Sequence, residues 1–181
     1  MKQWLPVLFF ALTLPLLSLA AEPNGDEAVV PVQIKRLLLI NNAPAVLLVD
    51  KPEERFLLVF IDFFMANAIR MGMDHSPLER PLTHDLIGIL MSRLGAQVTK
   101  ITITHLKRNT YYALLTLVAN GNSQEIDARP SDALAIAVRK NVPIFAAPHL
   151  LKPLSEEEAS KRLEEKAEPL PIPPKKGKAR T

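Results

Sequence analysis

The run of residues 55–61 constrains the fold most, because it is apolar on both faces of a predicted strand. Its alternate positions are Phe56, Leu58 and Phe60 in one register and Leu57, Val59 and Ile61 in the other. Successive side chains of a strand point to opposite faces, so a strand of this kind needs cover on both sides. We expect a helix on one face. A partner subunit could cover the other, which predicts an oligomer.

Further strand patterns surround this run, and three helical patterns lie between them. Strands are predicted at residues 30–40, 45–49, 55–61, 98–106, 110–118, 123–128 and 143–147. Helices are predicted at residues 62–73, 83–94 and 131–140. The sequence therefore predicts an α+β fold in a single domain, residues 29–151, with a mixed, mostly antiparallel sheet and two or three packed helices.

The first two predicted helices carry start signals. Asp62 and Thr83 are N-cap residue types, and Gly95 suits the end of the second helix. The apolar residues of the second helix fall on one stripe, as in an amphipathic helix: Leu86, Ile87, Leu90, Met91 and Leu94.

The two ends of the chain lie outside the predicted domain. Residues 1–21 combine one lysine, a short apolar run and small residues at the end, the three parts of a secretion signal. We predict cleavage after Ala20 or Ala21, export to the periplasm or the extracellular space, and no stable membrane anchor afterwards. An uncleaved anchor is the weaker alternative, because Pro6 and Pro15 interrupt the run. For residues 152–181 we predict a charged helix followed by a tail rich in proline and lysine. The end of this tail is predicted to be disordered.

Composition excludes some classes of function. The chain has no cysteine, so it has no disulfide, no thiolate metal ligand and no cysteine nucleophile. Its net charge is +3, but Lys2 and four basic residues near the C-terminus account for five positive charges, which leaves −2 for the rest. This balance disfavours a tight, non-catalytic nucleic-acid binder.

Two short motifs repeat the same order of residue types. Residues 80–85 read Arg-Pro-Leu-Thr-His-Asp, and residues 129–132 read Arg-Pro-Ser-Asp. Free N–H groups at a helix start attract anions, and the planar fork of arginine matches phosphate. The predicted phosphate-binding residues are Arg80, Thr83, Arg129 and Ser131. The same pattern also fits ordinary helix caps, with each arginine paired to an aspartate.

Carboxylates and one histidine lie in or next to these motifs. Asp127 shares a predicted strand face with Glu125, two residues earlier. The predicted metal ligands are Asp85, Asp127 and Asp132, whose oxygens suit Mg²⁺ or Mn²⁺. These three and His84, as general base or proton shuttle, are the predicted catalytic residues.

The other histidines are weaker candidates for chemistry. His105 has the strand parity of Ile101 and Ile103, which predicts a half-buried position. No two histidines have the spacing of metal ligands on a helix, which disfavours a zinc site.

The same motifs resemble the bifunctional nuclease domain family. The resemblance is carried by residues 80–86, Thr-Tyr-Tyr-Ala at 110–113, residues 126–135 and Val-Pro-Ile at 142–144, and it covers roughly residues 30–151. It implies a compact α+β fold, oligomeric assembly and cleavage of DNA and RNA. Members of the family resemble one another in an Ile-Gly step followed by Glu-Ala. Here Asp62 replaces that glycine and Met65 stands where the glutamate is expected.

Two functions of different classes fit these observations. The first is an exported, metal-dependent nuclease with nucleic acid as its substrate. The alternative is a non-catalytic envelope or periplasmic protein that uses the same fold to bind a partner or a small anion. Met65 and the net negative body favour the alternative, whereas both Arg-Pro motifs favour the enzyme. Convergence of Asp85, Asp127 and Asp132 on an open surface would support catalysis, whereas aspartates that point apart or are buried in arginine pairs would contradict it.

Overall fold

The computed structural model describes residues 28–75, 79–154 and 167–169. The predicted secretion signal and the predicted charged helix after residue 154 lie outside these ranges. The described part of the chain forms one α+β domain, as the sequence predicts. None of its helices is long and apolar enough to span a membrane.

The elements follow the predicted order with small shifts at their ends. The strands are β1 (Val30–Ile40), β2 (Ala43–Asp50), β3 (Arg55–Phe60), β4 (Ala96–Lys107), β5 (Thr110–Ala119), β6 (Asn122–Ala128), β7 (Ile144–Ala146), β8 (Lys152–Pro153) and β9 (Ala167–Pro169). The helices are α1 (Phe63–Met73), α2 (Thr83–Arg93) and α3 (Pro130–Lys140). Strands β8 and β9 lie within the segment predicted as a tail.

The sheet is mixed and mostly antiparallel. Its strand order is β6-β5-β4-β7-β1-β2-β3-β8, and β9 pairs with the end of β1. β7 runs parallel to β4 and antiparallel to β1, whereas the other neighbouring strands are antiparallel. The three-residue β7 therefore joins two antiparallel halves into one sheet.

The core lies on both faces of β3, as its apolar pattern predicts. Leu57 and Val59 belong to the main core, with residues of α1 and α3. Phe56 belongs to a second cluster with Leu38, Leu47 and Val49. Phe60 is different, because 54% of its surface is exposed.

Helix α2 starts and packs differently from the prediction. Its N-cap is Leu82 and not Thr83, and the Asp85 side chain accepts a hydrogen bond from the Leu82 backbone N–H at 3.1 Å. Only part of its predicted apolar stripe meets the core: Ile87 and Met91 are half-buried against it. The exposed members are Leu86, Leu90 and Leu94, at 49%, 52% and 77%. The buried residues of α2 are His84 and Gly88.

The predicted half-buried position of His105 is wrong. The pairing of β4 with β5 shifts register between Ile103 and His105, which breaks the alternation of faces. His105 is therefore exposed, and its ring stacks on Tyr112 with 4.4 Å between ring centroids.

A buried aspartate organises the turn between β2 and β3. Asp50 is 1% exposed and accepts hydrogen bonds from the Arg55 guanidinium at 2.8 Å and from the backbone N–H groups of Arg55 and Glu54. Burial acts to raise the pKa of Asp50. The hydrogen bonds and the charge of Arg55 outweigh burial, so the pKa lies below its ordinary value.

Candidate functional site

The N-termini of all three helices meet at one place. His84, the second residue of α2, lies with Nε2 3.1 Å from Oδ1 of Asp132, the third residue of α3. Met65, the third residue of α1, lies with Sδ 4.0 Å from Nη2 of Arg129, the N-cap of α3. Helix N-termini carry partial positive charge and free N–H groups, so this meeting point favours an anion.

The start of each helix has a local cause. Asp62 caps α1, as predicted, by accepting a hydrogen bond from the Met65 N–H at 2.8 Å. Pro130 is the first residue of α3, where its missing N–H costs nothing. Arg129 is the N-cap of that helix, so Ser131 lies inside the first turn and is buried.

Asp132 is the centre of a network with Arg129 and His84, called the Asp132 network below. Arg129 donates from Nε to Oδ2 at 2.6 Å and from Nη2 to Oδ1 at 3.1 Å. The exposed fractions of the three side chains are 66% for Arg129, 31% for Asp132 and 9% for His84. Arg129 is therefore the member that solvent or a ligand reaches first.

The network holds Asp132 ionised. Burial acts to raise the pKa of Asp132, but the hydrogen bonds from Arg129 and His84 outweigh it, so the pKa is below its ordinary value. The same hydrogen bond raises the pKa of Arg129. An ionised carboxylate only accepts hydrogen bonds, which assigns the donor role to Nε2 of His84. In the neutral imidazole, Nδ1 then carries the lone pair.

A cleft of about 740 Å³ adjoins the network. Its walls are the length of β3, the end of the β4–β5 hairpin and the first residues of α3. The residues are Phe56, Leu57, Leu58, Val59, Phe60, Ile61, Asp62, Leu106, Asn109, Thr110, Tyr111, Arg129, Pro130, Ser131, Leu150 and Lys152. Arg129 therefore belongs both to the Asp132 network and to the wall of the cleft.

The cleft has cations at its wall and one phenol. Arg129 and Lys152 are its cations, and Asp62 is the one carboxylate among its lining residues. Burial raises the pKa of Tyr111, so its hydroxyl keeps its proton at neutral pH. The cleft thus offers positive charge and a hydrogen-bond donor.

Asp85 lies in a separate ion pair that joins the helices. Arg139 Nε lies 2.7 Å from Asp85 Oδ1, and the Arg139 side chain is 8% exposed. Nη1 of Arg139 also donates to the carbonyl oxygens of Ala68 in α1 and Ala135 in α3, at 3.0 and 2.9 Å. Asp85 is held between helices and does not line the cleft.

The predicted metal ligands do not come together. Asp85 is paired with Arg139, Asp132 with Arg129 and His84, and Asp127 is exposed on β6. Among the described residues no group of three His, Asp or Glu side chains is placed to hold a metal ion. The side chains present here do not fit the three-carboxylate site that the sequence predicts.

The predicted phosphate-binding residues divide into two pairs. Arg129 and Ser131 line the cleft. Arg80 is exposed in the loop before α2, and Thr83 is exposed at the first residue of that helix. Of the two Arg-Pro motifs, the second provides the cleft wall and the first provides His84.

The sequence predicts no site role for Tyr111, Phe60 or Arg139, and it marks Met65 only as a departure from the family pattern. Met65 contacts Arg129, Tyr111 and Phe60 line the cleft, and Arg139 pairs with Asp85. Tyr111 lies in the Thr-Tyr-Tyr-Ala segment, residues 110–113, which supports the family resemblance. The sequence does not indicate that this tyrosine lines a cleft. The contact of Arg139 had no signal, because 54 residues separate it from Asp85.

The structure is that of an α+β domain in which three helix N-termini and a histidine–carboxylate pair meet at an exposed arginine that lines a cleft. The family model of the bifunctional nuclease domain matches residues 46–159, more than half of the chain. The chain belongs to the bifunctional nuclease domain family. The match begins within β2, and β1 completes the sheet ahead of it.

Two kinds of relative match the chain. It is 36% identical over 121 residues to an uncharacterized protein of Mycobacterium tuberculosis strain H37Rv, covering 67% of this chain and 70% of that protein. It is 31% identical over 105 residues to bifunctional nuclease 1 of Arabidopsis thaliana, covering 56% of this chain and 32% of the plant protein. The similarity to bifunctional nuclease 2 of the same plant is 32% over 112 residues, covering 59% of this chain and 34% of that protein. The chain thus spans about a third of the length of these plant nucleases.

Proposed function

We propose that this protein is a nuclease that hydrolyses phosphodiester bonds of DNA or RNA in the cleft beside the Asp132 network. The observation that carries the proposal is the position of Asp132 between buried His84 and exposed Arg129, where three helix N-termini meet. Membership of the bifunctional nuclease domain family supports the substrate class.

Arg129 is the phosphate-binding residue of this proposal. Its Nε and Nη2 atoms are turned to Asp132, and no described residue accepts a hydrogen bond from its Nη1. Nη1 donates to a phosphate oxygen, and the fixed guanidinium stabilises the charge that develops during attack. Ser131 and Lys152 lie on the same cleft wall.

His84 is the proton acceptor and Asp132 positions it. The Asp132 carboxylate holds Nε2–H, which leaves Nδ1 as the proton acceptor. His84 is buried and does not itself line the cleft, so we propose that the attacking water lies between Nδ1 and the phosphate at Arg129. The water oxygen bonds to phosphorus while the bond from phosphorus to the leaving oxygen breaks. The protonated phenol of Tyr111, which also lines the cleft, gives its proton to the leaving oxygen and regains one from solvent, while His84 releases the proton of the attacking water to solvent.

Cleavage assays on single- and double-stranded DNA and RNA test the proposal. We expect cleavage by the wild type, and a loss of about 100-fold or more for Asp132→Asn, because removing the charge weakens both the histidine and the arginine contacts. Asp74→Asn is the matched control, since Asp74 is an exposed carboxylate at the end of α1. Each protein is assayed with Mg²⁺, with Mn²⁺ and with EDTA.

Each outcome of this assay decides something. Cleavage that Asp132→Asn abolishes and Asp74→Asn preserves supports the proposed site. Equal cleavage by both variants contradicts the site. No cleavage by folded wild type under any metal condition contradicts the nuclease and favours the non-catalytic alternative. Loss of cleavage in EDTA supports metal dependence, which the described carboxylates alone do not explain.

The alternative function rests on a separate observation. Met65, at the position of the glutamate expected from the family resemblance, is 7% exposed and contacts Arg129 through sulfur. Without that carboxylate, the same cleft would bind a phosphate-containing partner or a small anion and leave it intact.

We also propose that the chain is exported and assembles as a homo-oligomer. Residues 1–21 have the three parts of a secretion signal, and the apolar outer face of α2 supports assembly. Mass spectrometry of protein from the periplasmic or extracellular fraction tests export. A mature N-terminus at Ala21 or Glu22 supports the proposal, and full-length protein retained in the cytoplasm contradicts it.

A further inference from the structure

The size of the cleft limits what can enter it. A volume of about 740 Å³ lies within the range of pockets that enclose one small molecule. A paired, stacked base lies inside a duplex and reaches a pocket of this kind only after it is flipped out. An unpaired nucleotide of a single strand needs no such step.

The walls of the cleft offer aromatic surface at two points. Phe60 lies at the end of β3 and is 54% exposed, although it is a large apolar side chain. Tyr111 lies near the start of β5 and is half-buried. Both line the cleft, Phe60 from β3 and Tyr111 from β5. Exposed aromatic rings are the surfaces on which unpaired bases stack, whatever their sequence.

The edge of β3 that faces the cleft adds main-chain groups. β3 pairs with β2 on one side through Ala45–Phe60 to Val49–Phe56. On the other side its ladder with β8 covers Arg55 and Phe56 only. Across the described residues, 57–60 therefore present an unpaired strand edge along the cleft, with N–H and C=O groups that suit the edge of a base.

The cleft carries two cations, Arg129 and Lys152, and one carboxylate, Asp62. Arg129 and Lys152 are both exposed and line the same cleft. A single strand can place its base against the aromatic walls and its phosphate against Arg129, because its backbone is flexible. The combination of stacking surface and cations is the usual form of a site for single-stranded nucleic acid.

We propose that the cleft selects an unpaired nucleotide of single-stranded nucleic acid, with its base at Phe60 and Tyr111 and its phosphate at Arg129. This inference rests on the proposed function, because it assigns the substrate class of the same site. It also assigns Phe60 a role in the preference for single-stranded over double-stranded nucleic acid.

Binding and cleavage of one sequence in two forms test the inference. The full chain is titrated against a fluorescent oligonucleotide, as a single strand and annealed to its complement, with fluorescence anisotropy and cleavage as readouts. We expect the single strand to bind at least about tenfold more tightly and to be cleaved faster. A duplex with one bulged nucleotide should recover part of the difference.

Phe60→Ala and Phe64→Ala form a matched pair. Phe64 is 89% exposed in α1 and does not line the cleft. We expect Phe60→Ala to weaken single-strand binding about tenfold, the loss typical of one stacked base, and Phe64→Ala to leave it unchanged. Phe60 is 54% exposed and Phe64 is 89% exposed, so circular dichroism of both variants checks that the domain remains folded.

The outcomes separate this inference from the proposed function. Equal binding and cleavage of single strand and duplex overturn the inference and leave hydrolysis standing. Selective single-strand binding without cleavage supports the inference and contradicts the nuclease. Equal losses in the Phe60 and Phe64 variants, or no binding of either nucleic acid form, overturn the inference.

Discussion

Three arginines hold carboxylates at fixed positions in this domain. Arg55 pairs with Asp50, Arg129 with Asp132 and Arg139 with Asp85, at 2.8, 2.6 and 2.7 Å. The pKa values of Asp50 and Asp132 lie below their ordinary values, so these two carboxylates lose the stabilisation from their arginine partners when acid protonates them. Protonation of Asp50 and Asp132 is therefore expected to destabilise the domain in acid.

Asp50→Asn is expected to destabilise the domain at neutral pH, by about 1–3 kcal/mol, because the buried side chain loses its charged hydrogen bonds. The pKa of Asp50 in the folded state is lowered. Its contribution is therefore fully present above the unfolded pKa of about 3.9 and is lost as pH falls through the folded value. Urea unfolding of the wild type and of Asp50→Asn at pH 7 and at pH 3 measures the difference in the free energy of unfolding.

The difference between wild type and Asp50→Asn should shrink at pH 3. Asp74→Asn is the control, because its exposed pair with Arg70 contributes about 0.5 kcal/mol or less at either pH. An Asp50 effect of the same size at both pH values would contradict the assigned cause.

Met65→Glu is expected to make cleavage respond to metal ions. The new carboxylate would lie beside Arg129 and approach Asp132, so that two carboxylates share one place. We expect the ratio of cleavage rates with Mn²⁺ and with EDTA to rise about tenfold or more over the wild-type ratio. Met65→Gln has a similar shape and no charge, and equal ratios in both variants would refute the prediction.

At the scale of elements, α3 is the helix against which the other two pack. Lys140 at its end donates to the Gly88 carbonyl oxygen of α2 at 2.9 Å. Gly72 of α1 lies against Val138 and Arg139. Both glycines allow a close approach that a larger residue would prevent.

Substitutions at these glycines should have unequal effects on stability. A Cβ at position 72 would lie 2.6 Å from Cγ2 of Val138, a branched side chain held between helices. A Cβ at position 88 would lie 2.5 Å from Cε of Lys140, near the flexible end of that side chain. Gly72→Ala should therefore cost about 1–3 kcal/mol, as overpacking does.

Gly88→Ala should change stability by less than about 1 kcal/mol, because Lys140 can move and alanine favours the helix. Urea unfolding midpoints of the two variants measure the difference. Equal loss of stability in both would show that the two contacts do not differ in flexibility.

The elements themselves could be read from the sequence, but their contacts could not. Apolar alternation placed the strands from β1 to β7, and Asp62 marked the start of α1. The echo between the two Arg-Pro motifs marked His84 and Asp132 as candidate site residues, but it did not predict the contact between them. The pairing of Asp85 with Arg139 could not be predicted, because it depends on how two distant helices cross. The β4 register shift, which exposes His105, has no sequence signal either.

The apolar stripe of α2 shows a second limit of prediction from sequence, and this limit concerns the whole molecule. Periodicity identifies an apolar face, but it does not tell whether the core or another subunit covers it. Here polar contacts of His84, Asp85 and Gly88 set the rotation of α2 on α3. Its leucines are turned to solvent as a result.

Lysine substitutions on this face should dissociate the proposed oligomer. The double variant Leu86→Lys, Leu90→Lys places two charges where an apolar contact would form, and charges are depleted from the centres of interfaces. Light scattering should give several chains for the wild type and one chain for the variant.

Ile126→Lys is the matched control for this experiment. Ile126 is 44% exposed on β6, away from α2, so its substitution should leave the mass unchanged. A wild type with the mass of one chain, or a double variant with the wild-type mass, would contradict assembly through α2.

The position of β7 sets the order in which a chain leaving the ribosome can fold. Within the described sheet, the halves made of β1–β3 and β4–β6 are joined through residues 144–146, which pair with β1 and β4 at once. Both hairpin halves can form early from local contacts, but the seam between them waits until nearly the whole domain has been synthesised. Until then β1 and β4 keep open edges that a chaperone can bind. Late closure is compatible with the proposed export, which needs a chain that has not yet completed its sheet.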